Sequence, residues 1–402
     1  MADTSDLFFE IPASMAAFDV NTETRKLCEN MEYLKSLSVE EFTFRKKWEE
    51  IDDRELMDQH ITRAGAAKAK IWAPEDIMDE TKTIKEIENL NPTIQLIESD
   101  SDDKMWTTLR YFCSSAEFNQ APGRFMKFWI HDGNLDNPRI LGLCSIASDV
   151  ISIGDRDKYI GWSLDNKLKD GKLVNSAIGT TIVSTQPFGY PFLGGKLSAA
   201  MVVSGVVRES WKKMYDSVLV GMTTTSLYGS FSMYNSLKWW HKCGSSTGKI
   251  LIQPEGKIYK KWHDWIKETR KEEYEKKMTQ KEGVSGPVTG AKLRVLNMIL
   301  GSAQIKQSNY VHGFERGVYY SCFYENTKEF LSGKIQEKDL IMKPLFKDDT
   351  KAIMEWWKPK AIERYRRLVK EGTLRSDKLF YGDMHGLSYE KAREKYFNDV
   401  GR

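Results

Sequence analysis

Long apolar runs are missing from this chain. No uninterrupted apolar segment approaches the ~20 residues that a membrane-spanning helix needs, so no membrane partner is expected. The opening "MADTSDLFFE" is acidic and has neither the basic stretch nor the apolar run of a signal peptide. Cysteine is scarce: Cys28, Cys113, Cys144, Cys243 and Cys322 stand far apart with no C-x-x-C pair. That usage fits a reduced, intracellular protein, cytoplasmic or in the host cytoplasm if phage-encoded. The six histidines show no H-x-x-x-H or H-E-x-x-H spacing, so no metal is predicted. Neither phosphate-binding glycine spelling, G-x-x-x-x-G-K-[ST] or G-x-G-x-x-G, occurs.

What is present is charge, unevenly placed. The net charge of +3 hides 25 Asp/Glu against 12 Lys/Arg in residues 1–103, which leaves 48 basic against 32 acidic residues in the rest. A basic body suits a polyanion, and nucleic acid, DNA in particular, is the partner expected for it. Solvated surface helices would give the same count.

The texture divides the chain into four stretches. Residues 1–92 read as an acidic helical extension ending at Asn91-Pro92. Residues 93–255 alternate strands ("TIQLIES", "RFMKFWIHDG", "RILGLCSIASD", "SVLVGMTTT") with helices, including an apolar stripe Ala200, Val203, Val207, Trp211 and Met214. "GSFSMYNSLKWWHKCG" reads as a further helix. Residues 256–290 form a basic helix and the linker "EGVSGPVTG", and 291–402 a helical, aromatic-rich region. The expected class is α/β (α+β): a mixed central sheet flanked by helices.

Three features bear on chemistry. The turn "FLGGKL" leads from a strand into a helix, where unpaired backbone N–H groups and the helix dipole attract phosphate. Gly194, Gly195, Lys196 and Ser198 are the candidate contacts; a tight turn that needs small residues explains the same glycines. Tyr234 follows a strand, where a phenol acts as a general acid if it reaches a substrate and as a packing residue if it does not. Ser184 and Asp149, near strand ends, are candidates to orient an acceptor. Finally, Trp262 lies among Lys260 and Lys261, and Arg364, Arg366 and Arg367 follow Trp356-Trp357. Cations neutralise phosphates and exposed aromatics stack on bases; amphipathic helices with inward tryptophans give the same pattern.

The order of elements from 93 to 245 resembles the GCN5-related N-acetyltransferase fold. More narrowly, "GDRDKYIGWS" (154–163) resembles the G-x-R-D-[RK]-x-I-G-W-S segment of the Druantia-type anti-phage protein family, with "LVNSAIGTTIVS" and "YNSLKW" matching later segments. The same branch is similar to phage Mom proteins, which modify DNA adenines. The resemblance implies acyl-type transfer to a DNA base, with Tyr234 as acid and acetyl-CoA or another phosphate-bearing acyl donor at 194–198. The family's usual [RQ]-x-x-G-x-[GA] spelling is replaced here by adjacent glycines. Two alternatives stand beside it: a non-catalytic nucleic-acid-binding protein in a defence, recombination or virion assembly, and an N-acyltransferase on a small molecule or protein.

Overall fold

The computed structural model describes residues 18–400 apart from 118–122, 135, 228, 230–231, 247–249, 280–290, 313–314, 348 and 376–377. The linker expected at 282–290 lies outside the described residues. The chain divides into two compact units, each assembled from two separated pieces: residues 1–42 with 249–313, and 43–248 with 314–402.

The larger unit is built on a seven-stranded sheet. Its strands are β1 (Thr93–Leu96), β2 (Phe125–His131), β3 (Ile140–Ser148), β4 (Ser176–Ser184), β5 (Gly221–Ser226), β6 (His241–Ser246) and β7 (Arg316–Cys322). They lie in the order β1-β2-β3-β4-β5-β7-β6. Neighbours are antiparallel except β4 and β5, which run parallel. A parallel pair needs a crossover, and the helices Gly194–Met201 and Gly205–Tyr215 supply it. The pair is short: its register runs from Ser176↔Gly221 to Ile178↔Thr223. Beyond that point β4 continues to Ser184 against β3 alone. The sheet therefore opens between β4 and β5 on the side where the turn before Gly194 begins.

Each face of this sheet buries an apolar layer. On one, Phe188, Ala199, Trp211, Trp357 and Tyr365 pack with Phe128 and Met222. On the other, Trp106, Leu109, Phe112 and Phe380 pack with Trp129 and Leu143, and Phe44, Ile51 and Met57 from the acidic N-terminal stretch join them. Each fully buried large side chain contributes about 1.5–3 kcal/mol, so this stretch is part of the larger unit's core.

The mixed α/β architecture agrees with the sequence reading; some elements differ. The apolar stripe through 200–214 is two helices, broken at Val202–Ser204, and Met214 at its end is 52% exposed. The segment read as a helix around Tyr234 is a run of turns followed by β6. Ser236 has φ +62°, a left-handed conformation that interrupts a helix, and the Ser232 hydroxyl accepts from the Tyr234 N–H. Such side-chain-to-backbone bonds compete with helix formation. Part of the aromatic run after 310 is β7, which pairs with both β5 and β6. Its Tyr319 and Tyr320 point to opposite faces, as alternate strand residues do.

The smaller unit comprises the helices Val20–Ser36, Gly256–Thr269, Lys271–Met278 and Ala291–Ser302, with a two-residue ladder joining Ile250–Leu251 to Val311–His312. Asp19 caps the first helix by accepting from the Thr22 N–H at 2.8 Å. Among the described residues no helix is long and apolar enough to cross a membrane.

Candidate functional site

The three residues proposed for chemistry sit around β4 and β5, and the pleat separates them. Thr223 and Thr224 are consecutive in β5 and so face opposite sides of the sheet. Thr223 donates its hydroxyl to Asp149 at 2.7 Å, whereas the Thr224 hydroxyl lies 3.3 Å from the Tyr234 hydroxyl. Asp149 and Tyr234 are thus on opposite faces. Tyr234 is 5% exposed, with its ring 5.1 Å from those of Trp240 and Tyr319. Burial pushes its phenol well above the ordinary value, so the proton is held. Ser184 is buried, and its hydroxyl is 3.0 Å from that of Ser198 on the crossover helix. The structure brings Ser184 and Ser198 together and leaves Asp149 on the far side.

The glycine turn is packed. A β-carbon on Gly194 would lie 2.6 Å from the Phe188 ring, 2.8 Å from the Phe188 carbonyl and 2.8 Å from the Ser184 hydroxyl, so only glycine fits. At Gly195 the neighbour is the flexible end of Met233, at 3.3 Å. The Gly194 N–H donates to the Gly189 carbonyl and the Lys196 N–H to the Leu193 carbonyl, each at 3.0 Å. Lys196 Nζ donates to the Asn235 carbonyl at 2.6 Å, and the Trp240 indole donates to the Ala199 carbonyl at 2.6 Å. The segment carrying Tyr234 is in this way tied onto the helix that follows the turn. Lys196 is half-buried; burial first, then Lys360 and Arg364, pull its pKa down.

On the opposite face the "GDRDKYIGWS" segment forms a buried charge network. Arg156 donates to Asp149 at 2.6 Å and to Asp157 at 2.7 Å, with the first pair wholly buried. Lys167 closes the network on Asp157 at 2.5 Å. Asp149 also accepts from the Ser176 hydroxyl at 2.6 Å and from the Val150 N–H at 2.8 Å. Its pKa is raised by burial and held back by Arg156. The Trp162 ring lies beneath both cations, 5.1 Å from the Arg156 guanidinium and 5.3 Å from Lys167 Nζ. Gly161 takes φ +77° to end the helix Gly154–Ile160. Because Ser176 opens β4 and Thr223 lies in β5, the motif fastens the start of the parallel pair. Sequence reasoning valued this motif as a fingerprint and missed the work of Arg156 and Trp162.

The expected nucleic-acid contacts divide between the units. In the smaller one Trp262 is fully buried against Phe18 and Trp265, so it packs and offers no face to a base. Lys261 pairs with Glu23 at 2.8 Å, a bond that lowers the Glu23 pKa; Lys260 is exposed. In the larger unit the helix Asp349–Lys370 turns Trp357 and Tyr365 inward and exposes Lys351, Lys360, Arg366, Arg367 and Lys370. Arg366 approaches Glu80 at 3.6 Å across an exposed surface. Arg364 is half-buried and donates Nε–H to the Tyr190 carbonyl at 2.9 Å. Tyr190 and Arg375, beside it, carried no sequence signal: Tyr190 reads as part of an apolar turn and Arg375 as an isolated cation.

No solved structure matches this chain. A curated relative, the Druantia protein DruA of Escherichia coli (strain UMEA 4076-1), is 24% identical over 293 residues, covering 68% of this chain and 70% of that protein. The model of the family described as Druantia protein DruA matches residues 47–333. That span takes in all seven strands, the buried Asp149–Arg156–Asp157–Lys167 network and the glycine turn. With sheet, fastening motif and turn all inside one match over most of its length, the chain belongs to the Druantia protein DruA family.

Proposed function

We propose that this protein works in the cytoplasm in anti-phage defence as a component that engages DNA, with its sheet serving as scaffold. The observation that carries this reading is the helix Asp349–Lys370. It has seven Lys/Arg against three Asp/Glu; its tryptophan and tyrosine anchors are buried while most of its cations face outward. Cations at an exposed surface that neutralise phosphates release condensed counterions, and the affinity then falls steeply with salt. The test is a fluorescence titration of the full chain with labelled DNA at about 50 and about 200 mM salt. Affinity that drops by orders of magnitude supports the reading. Absence of binding at low salt, or binding indifferent to salt, rejects it.

A second reading, acyl-type group transfer on an acetyltransferase-like sheet, is favoured by one observation: the parallel pair β4/β5 stays in register for only three residue pairs and then opens. Under this reading the opening admits a donor such as acetyl-CoA, and Tyr234 must be uncovered to act as an acid. Mass spectrometry of nucleosides from cells expressing the chain tests it, because transfer to a base leaves a new modified nucleoside. An unchanged nucleoside profile rejects the DNA-modification form of this reading.

A further inference from the structure

Arg364 and Arg375 bring their guanidiniums to a single tyrosine that lies far away in the sequence. Tyr190 lies in the turn between β4 and the helix Gly194–Met201. The Arg364 guanidinium sits 4.8 Å from its ring centroid and the Arg375 guanidinium 3.8 Å. Arg364 also donates to the Tyr190 carbonyl, so one bond and one ring contact fix its plane. Neither terminal nitrogen of Arg364 has a hydrogen-bond partner among the described residues. Lys360, Arg364 and Arg367 follow at helical spacings of four and three, which puts them on one stripe of the helix. Lys360 and Arg367 are exposed and have no ion-pair partner among the described residues. Lys196, six residues after Tyr190, has its nitrogen held by the Asn235 carbonyl.

These cations act on one another. Burial lowers the pKa of Arg364, and Arg367 and Arg375 lower it further; Lys360 and Arg364 do the same to Lys196. Gathering like charges costs free energy, and an anion removes that cost. A guanidinium stacked on a ring is also pre-oriented, so less freedom is lost when its planar fork meets phosphate oxygens. The backbone of the neighbouring helix start is a poor alternative holder, since the Gly194 and Lys196 N–H groups already donate within the turn.

We infer that Lys360, Arg364 and Arg367, on one stripe of the helix beside Tyr190, together with Lys196, form a cradle for a phosphate group, carried by a DNA backbone or by a free nucleotide. The inference deepens the DNA-binding reading by naming the place where phosphate is held. It rests on that reading only for the source of the phosphate.

The experiment uses the full chain, a labelled duplex and a labelled single strand, and ATP and inorganic pyrophosphate as small probes. The variant is Lys360→Gln/Arg367→Gln, two exposed residues whose loss leaves packing intact. Lys351→Gln/Arg366→Gln, two exposed cations on the same helix but off the stripe, is the control. For duplex DNA each phosphate contact contributes about 0.9 to the slope of log affinity against log salt. The cradle variant should therefore lose up to about 1.8 in slope and roughly tenfold or more in low-salt affinity, with a smaller loss in the control. Wild-type binding of DNA with no difference in the cradle variant overturns the cradle and leaves the DNA reading standing. Binding of ATP or pyrophosphate without DNA, lost in the variant, keeps the cradle with a small-molecule source and rejects the DNA reading. No binding of any probe at low salt overturns both.

Discussion

The two ends of β4 handle charge in opposite ways. At its start, Ser176 hydrogen-bonds to a carboxylate inside the Asp149–Arg156–Asp157–Lys167 network, where every charge is answered by an opposite one. Past its end, the turn carrying Tyr190 meets the guanidiniums of Arg364 and Arg375, and Lys360 and Arg367, on the helix of Arg364, are exposed with no ion-pair partner among the described residues. The buried set is explained by folding alone: each partner stabilises the other, and together they lock β4 to β5. Arg364 and Arg375 donate to carbonyls of the fold, whereas Lys360 and Arg367 are left to meet an anion. Charge pairing, more than charge density, separates what builds this protein from what it offers to a ligand.

The comparison breaks most sharply at Arg156. Arg156→Met leaves Asp149 buried without its countercharge, and losing one partner of a buried pair costs about 3–5 kcal/mol. Denaturant unfolding of the larger unit should show a loss of that size. A loss below about 1 kcal/mol, the level of an exposed pair, would mean that the network is open to water. A second buried cation sharpens the same point through pH. Lys47 is fully buried on Glu50, and burial pulls its pKa down to about 8 from 10.5. Between pH 8 and 10.5 the folded chain has released this proton while the unfolded chain still holds it. Stability from this group therefore rises with pH across that window, by at most about 3 kcal/mol. Subtracting the profile of Lys47→Met from that of wild type isolates the rise; parallel profiles would place Lys47 in contact with water.

The turn supplies the next effect. Gly194→Ala drives a methyl into Phe188 and Ser184, and overpacking of this kind costs about 1–3 kcal/mol. Gly195→Ala meets only the movable end of Met233 and should cost less. Equal losses would refute the distinction between the two glycines. Tyr234→Phe removes one hydrogen bond to Thr224, worth about 0.5–1.5 kcal/mol. That loss should come with unchanged DNA binding, as expected of a packing phenol. A collapse of DNA binding would instead put Tyr234 at a working surface.

Much of the larger unit was legible in the sequence because its strands and helices follow local rules. "RFMKFWIHDG" and "RILGLCSIASD" are apolar runs bounded by turns, and they became β2 and β3. What failed depended on distant partners. The run of turns at Tyr234 is held by Lys196 and Ala199, and β7 lies between β5 and β6 because of pairings that no local window contains. For the site, the phosphate-favouring position of Lys196 and the basic character of Arg364 and Arg367 were each visible. Their meeting was not, since Arg364 lies 168 positions beyond Lys196 and reaches the turn by its bond to the Tyr190 carbonyl. Trp262 illustrates the opposite case. A tryptophan flanked by lysines has the same spelling whether it faces a base or a core, and Phe18 decides between them.

The smallest expected stability effect tests the other half of the comparison. Lys360 and Arg367 make no ion pair among the described residues, and both are exposed. Replacing them with glutamine therefore removes no folded-state partner. Surface changes of this kind usually fall within about 0.5 kcal/mol of zero. If they act at all on stability, relief of repulsion on Arg364 should make the variant slightly more stable. Thermal unfolding of wild type and of Lys360→Gln/Arg367→Gln in the same buffer measures this. Added pyrophosphate then supplies the contrast, because a ligand that binds only the folded state raises stability by mass action. Wild type should gain thermal stability with pyrophosphate and the variant should gain less. A variant that is clearly destabilised without ligand would show that these two cations hold the fold, and the division between paired and unpaired ends of β4 would fall.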